Sequence, residues 1–220
     1  YFNKLLGVPT ENTFYLSNSD ATKTELETLL KYTLNRRVIK DDEVYFYFSG
    51  HGVPTNENEG DNYLLLNDSD PSNPEISAYA IKELYEDLGG LKTTKSYVFL
   101  DTCFSGGTGR TGITETLFEG TRSGMMRVKD ISLAYNNLVI FTATDINQLR
   151  NSYKEQNHGL FTYYMLKGLS VGSSKGSGIS IEELHNYIKE NVSKESRKLG
   201  QTKNQDPLLK TGVDKSSFIY

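Results

Sequence analysis

Apolar residues along this chain fall in short runs whose period changes from one stretch to the next. Runs rich in β-branched, aromatic and leucine residues recur at 13–16, 43–48, 63–66, 96–100 and 138–143, and these predict strands. Helical spacing lies between them. Thr22-Lys23-Thr24-Glu25 has the form of a capping box ahead of Leu26, Leu29, Leu30 and Leu34. Ile81, Leu84, Tyr85 and Leu88 make one apolar stripe after Ser77, residues 160–169 read as an apolar helix, and a second box, Ser180-Ile181-Glu182-Glu183, opens a helix with Leu184, Ile188 and Val192 on one face. Residues 1–7 read as the last turns of a helix ending at Gly7. Strands alternating with helices predict an α/β domain whose mostly parallel sheet is covered on both faces. Stretches 44–48 and 96–100 lack the polar alternation of half-exposed strands, which predicts central, doubly covered positions for both.

Two segments break the periodicity. Residues 105–130 are glycine-rich, carry Arg110, Arg122, Arg127 and Lys129, and predict a long exposed connection. Residues 170–178 (SVGSSKGSG) have the composition of a flexible linker. A length of 220 residues suits one sizeable domain. The formal charge of -4 is spread over 24 basic and 28 acidic residues with no long block of either sign, so neither a nucleic-acid nor a membrane surface is expected. A single cysteine excludes intrachain disulfides and a cysteine-rich zinc site, and points to a reducing compartment; a cytoplasmic location is expected. The chain opens on Tyr1 rather than Met, and its N-terminus is read as cut or incomplete.

In parallel sheets ligands gather beyond the carboxyl ends of the strands. Ser49-Gly50-His51-Gly52 follows one expected strand and Asp101-Thr102-Cys103 another, so a histidine and the only thiol arrive at one edge. Free cysteine is by default a buried hydrophobe, but Cys103 stands between a strand end and a turn of Ser105, Gly106 and Gly107, where a side chain is presented rather than hidden. A phosphate-loop reading fails on spacing: six residues separate Cys103 from Arg110, one more than the tyrosine-phosphatase loop tolerates. A peptidase needs a base within reach of the thiol and backbone N–H donors for an oxyanion. His51 precedes Cys103 by 52 positions, close to the spacing of about 50 in caspase-type enzymes. The N–H groups of Gly52 and Cys103 are the candidate oxyanion donors. His158 is the competing base but is better read as seating the helix that begins at 160, and His185 as a packed or partly exposed histidine.

YFYFSGHG followed by FLDTCFSGG resembles the His and Cys blocks of caspase-type (clan CD, family C14) cysteine peptidases, most of all metacaspases and bacterial caspase-like proteins. Residues 63–66, 158–164, 180–187 and Gln205-Asp206-Pro207 are similar to blocks in the same order in bacterial members. The resemblance implies a Cys–His dyad with Cys103 as nucleophile and His51 as general base, and no third carboxylate. It implies a three-layer α/β/α sandwich with a mostly parallel six-stranded sheet, whose first strand is missing from this chain. It divides residues 1–220 into a large-subunit-like part to about 104, a linker at about 105–130 and a small-subunit-like part from about 131. Caspases carry glutamine where Asp101 stands; in metacaspases an aspartate there contributes to an acidic S1 pocket, so cleavage after Arg or Lys is expected, the plain alternative being that Asp101 only caps its turn. Asp145 is the second S1 candidate, and Glu155 a weaker one. Autocleavage in the linker is expected, at Arg122, Arg127 or Lys129. No cofactor is required; some metacaspases need calcium, but residues 105–130 offer only Glu115, Glu119 and Asp130, not a cluster resembling a site. Peptides or proteins are the expected partners of a monomer, a dimer being left open. The competing function is a catalytically silent caspase-like regulatory or binding module.

Overall fold

A computed structural model of the protein describes residues 2–54, 61–102, 104, 134–144, 151–153, 158–174, 176, 178–200 and 203–219, the Ser152 side chain excepted. A short helix, α1 (Phe2–Leu6), ends before Gly7 as the pattern predicts. Thr22 caps α2 (Lys23–Glu27) by accepting from the Glu25 N–H at 3.2 Å. The same helical rod continues as a π-helical segment, Thr28–Leu34, and ends in α3 (Asn35–Arg37). The chain then enters β1 (Glu43–Ser49), β2 (His51–Pro54) and β3 (Asn62–Leu65). After Ser77 the apolar stripe starts later than its first polar residue suggests: α4 (Pro74–Ser77) and β4 (Tyr79–Ala80) precede α5 (Ile81–Gly89). Next come β5 (Lys95–Asp101), β6 (Leu138–Thr142), β7 (Ser152–Tyr153), β8 (His158–Gly159), α6 (Leu160–Ser174), β9 (Ile179–Ser180), α7 (Ile181–Lys198), β10 (Leu208–Thr211) and β11 (Phe218–Ile219).

The central sheet runs β1-β5-β6-β10, parallel through its first three strands and antiparallel at the last. Successive β5 side chains point to opposite faces and so feed two separate cores. Tyr97 and Phe99 join Val139 and Phe141 beneath α6 and α7, with α1 laid over them. Val98 and Leu100 join Leu138 and Ile140 beneath α5 and the rod at Leu26 and Leu30. This is the three-layer sandwich with a mostly parallel sheet that the sequence leads one to expect. A smaller antiparallel sheet, β2-β3-β4, stands beside it with its own cluster of Val53, Tyr63, Ala78 and Ala80. Among the described residues no helix is long and apolar enough to cross a membrane.

Four local expectations change. The described central sheet counts four of the six strands implied. Residues 13–16 are not a strand: Thr13 is held by side-chain bonds to Pro9 O and from Asn3, and Phe14 and Tyr15 are 40% and 83% exposed, so strand-forming residue types found no ladder to join. Among the described residues β1 is an edge strand with several half-exposed positions, whereas β5, between β1 and β6, is buried from Ser96 to Asp101. The stretch 170–178 is helical as far as Ser174. Its Gly172 serves packing rather than flexibility, since a Cβ there would stand 2.7 Å from the Ile179 Cβ where α6 meets β9.

Candidate active site

Parallel pairing sets β1 and β5 in one register, Val44 opposite Ser96 through Ser49 opposite Asp101. β5 and β6 are paired as far as Leu100 opposite Thr142. Adjacent strands lie about 4.8 Å apart, so three consecutive carboxyl ends open on one short stretch of sheet edge. His51 comes two residues after Ser49, Cys103 two after Asp101, and Asp145 three after Thr142. Cys103 and Asp145 themselves, like Glu155, Arg122, Arg127, Lys129 and the rest of 105–130, lie outside the described residues. What flanks the thiol is described. Thr102 is buried, its hydroxyl without a hydrogen-bond partner among the described residues, and Phe104 packs against the core that holds Leu100.

His51 is the first residue of β2 and is exposed; Gly52, next to it, is half-buried opposite Leu64 of β3. The change from β1 to β2 carries the histidine out of the central sheet just where that sheet ends. Asp101 is the last residue of β5 and completely buried. Its carboxylate accepts a hydrogen bond from the Thr162 hydroxyl, and the Tyr47 hydroxyl lies 2.8 Å from that same Thr162 oxygen. Thr162 stands in the first turn of α6, where the partial positive charge of the helix end favours a carboxylate.

The two-stranded ribbon β7-β8 covers this acid. A Cβ at Gly159 would come within 2.1 Å of Asp101 Oδ2, so only glycine lets the ribbon backbone lie against the carboxylate. Tyr153, opposite His158 in the ribbon, packs edge-on against Tyr163 of α6 at 5.0 Å. His158 thus sits directly before α6, in keeping with its reading as a helix-seating residue. His185 is half-buried on α7; its Nε2 donates to the Pro207 carbonyl at 3.3 Å, and burial pushes its pKa below the ordinary value.

Gln205 holds the ribbon from behind. Fully buried, its side-chain oxygen accepts from the Asn151 backbone N–H at 2.9 Å and from the Asn151 amide at 3.1 Å, while its Nε2 donates to the Ala143 carbonyl at 3.0 Å. Ser196 accepts its N–H and Ser193 donates to its carbonyl. Its side-chain amide therefore joins the end of β6 to the start of β7, and its backbone ties both to α7. Among the described residues no group of three or more His, Cys, Asp or Glu stands together as a metal site.

A sequence model of the caspase domain, family Peptidase C14, matches residues 2–216. The chain belongs to the caspase-domain family. Its fold is similar to that of protein GSU0716 from Geobacter sulfurreducens, with a TM-score of 0.58 and 19% identity over 91% of this chain and 77% of that one. It is also similar to caspase-1 from Spodoptera frugiperda, with a TM-score of 0.55 and 15% identity over 97% of this chain and 76% of the other. No curated protein matches the sequence. The caspase-domain family is a family of cysteine peptidases. No local pattern in the sequence marks Thr162, Tyr47 or Gly159. The block 158–164 resembles one in bacterial members, but its periodicity carries no sign that Thr162, 61 positions away, and Gly159 meet Asp101.

Proposed function

We propose that this protein is a cysteine endopeptidase that cleaves after Arg or Lys by a Cys103–His51 dyad. The observation that carries the reading is the register of Ser49 with Asp101, which sets the strand ends leading to His51 and Cys103 side by side. In the proposed reaction His51 takes the thiol proton of Cys103, and the thiolate sulfur attacks the scissile carbonyl carbon. The N–H groups of Gly52 and Cys103 stabilise the resulting oxyanion. Collapse breaks the C–N bond, the leaving amine takes its proton from His51, and a thioester remains on Cys103. Water, deprotonated by His51, then hydrolyses the thioester and returns the free thiol. Asp101 supplies the negative charge at the floor of S1, with Asp145 as the second candidate. Support for this comes from a buried carboxylate at the end of the strand that precedes Cys103, next to the first turn of α6. Cleavage of its own 105–130 segment after Arg122, Arg127 or Lys129 follows from the same specificity.

Fluorogenic peptides that differ only at P1 (Arg, Lys, Asp, Ala), offered to wild type and Cys103→Ala with and without calcium, test this. Turnover of the Arg and Lys peptides by wild type alone is expected. Cleavage after Asp only would overturn the specificity, and turnover by Cys103→Ala the nucleophile. A Cys103→Ala protein that still appears as two fragments would exclude self-cleavage. Failure of every peptide, together with no pH-dependent labelling of Cys103 by a thiol probe, would leave the silent binding module as the function.

A further inference from the structure

Three hydroxyl and carboxylate groups from three elements meet beneath the strand ends. Asp101 closes β5, Thr162 stands in the first turn of α6, and Tyr47 belongs to β1. The direction of the hydrogen bonds is determined by chemistry. Thr162 spends its single O–H proton on Asp101 Oδ2. The Tyr47 hydroxyl, 2.8 Å from Thr162 Oγ1, must then donate to it. Such a chain polarises each member toward the next, and within a low-dielectric interior that strengthens the last bond, the one on the carboxylate. Gly159 packs on the same oxygen: a Cβ added there would collide with Asp101 Oδ2, so the ribbon backbone lies against the carboxylate.

We propose that Tyr47 and Thr162 form a hydroxyl relay that holds the Asp101 carboxylate in one orientation and thereby sets selectivity for a cationic P1 side chain. The proposal rests on the reading of Asp101 as the S1 anion. Thr162 and Tyr47 are positioning residues, acting through Asp101 on the ground-state recognition of a positive charge. Their loss is therefore felt in KM more than in kcat. A merely structural threonine would change the cleavage of charged and neutral peptides alike.

The test compares kcat/KM for P1-Arg and P1-Ala peptides in wild type, Thr162→Val, Thr162→Ser and Tyr47→Phe. The rate of Cys103 alkylation by iodoacetamide normalises for the nucleophile. Thr162→Val is expected to lower the Arg-over-Ala ratio about tenfold through KM, the size of one hydrogen bond to a charged group. Thr162→Ser, which keeps the hydroxyl, is expected to stay within about threefold of wild type, and Tyr47→Phe to lie between the two. A wild type that prefers Arg while Thr162→Val keeps its ratio overturns the relay and leaves the proposed function standing. A wild type with no preference for Arg removes the proposed specificity and the relay with it. Should Thr162→Val fail to fold, by circular dichroism, the other two variants decide: an unchanged ratio in Tyr47→Phe, or full loss of selectivity in Thr162→Ser, overturns the proposal.

Discussion

A half-buried histidine on α7, His185, predicts a sensitivity of stability to acid. His185 is pushed below its ordinary pKa of 6.5, first by burial, and partly restored by its bond to Pro207 O. The unfolded chain therefore takes up a proton that the folded chain resists, and stability falls as pH drops below about 6.5. His185→Gln, which keeps a donor without the titration, is expected to lose less stability between pH 7.5 and 5.5 than wild type does. Thermal melts at the two pH values measure this, and an equal loss in both proteins would exclude His185 as a source of the effect. Asp101 is buried more completely than His185. It is wholly enclosed yet met by a donated hydroxyl and a helix N-terminus, the two means by which an interior accommodates a carboxylate.

Among the elements, α7 is the one whose start the sequence states most fully. Ser180 accepts from the Glu183 N–H at 3.2 Å, and the Glu183 carboxylate accepts from the Ser180 N–H at 3.0 Å, closing the capping box. The apolar face then buries Leu184, Ile188 and Val192 against α6 and the sheet. Ser180→Ala is expected to destabilise the protein by about 1 kcal/mol, read by urea unfolding with an unchanged slope. A cost indistinguishable from zero would mean that packing of α7 alone holds its first turn. β5 is the complementary case, an element whose behaviour depends on its neighbours. Burial on both faces goes with its place between β1 and β6, and β1, with similar residue types, stays half-exposed at the edge of the described sheet.

At the scale of the whole molecule, Gln205 ties the carboxyl end of the sheet to the ribbon that covers Asp101. Gln205→Ala would leave the Ala143 carbonyl and the Asn151 N–H buried without the partner they now have. Each such orphan costs about 1–3 kcal/mol, so a total loss of about 2–5 kcal/mol in chemical denaturation is expected. A loss under about 1 kcal/mol would show that the two segments hold their places without the amide.

The order in which chemical groups arrive at the sheet edge was legible in the chain, because strand and helix periods and connectivity are local properties. Thr22 and Ser180 announced their helices, and His51 and Cys103 stood just past strand-forming runs. The pairing of β1 with β5, the failure of residues 13–16 to join a ladder and the close contact of Gly172 with Ile179 are decisions of tertiary structure. So is the enclosure of Asp101 by Thr162 and Gly159. These depend on which surfaces meet after the chain has turned back on itself, and hydropathy along the sequence carries no record of a hydroxyl meeting a carboxylate 61 positions away.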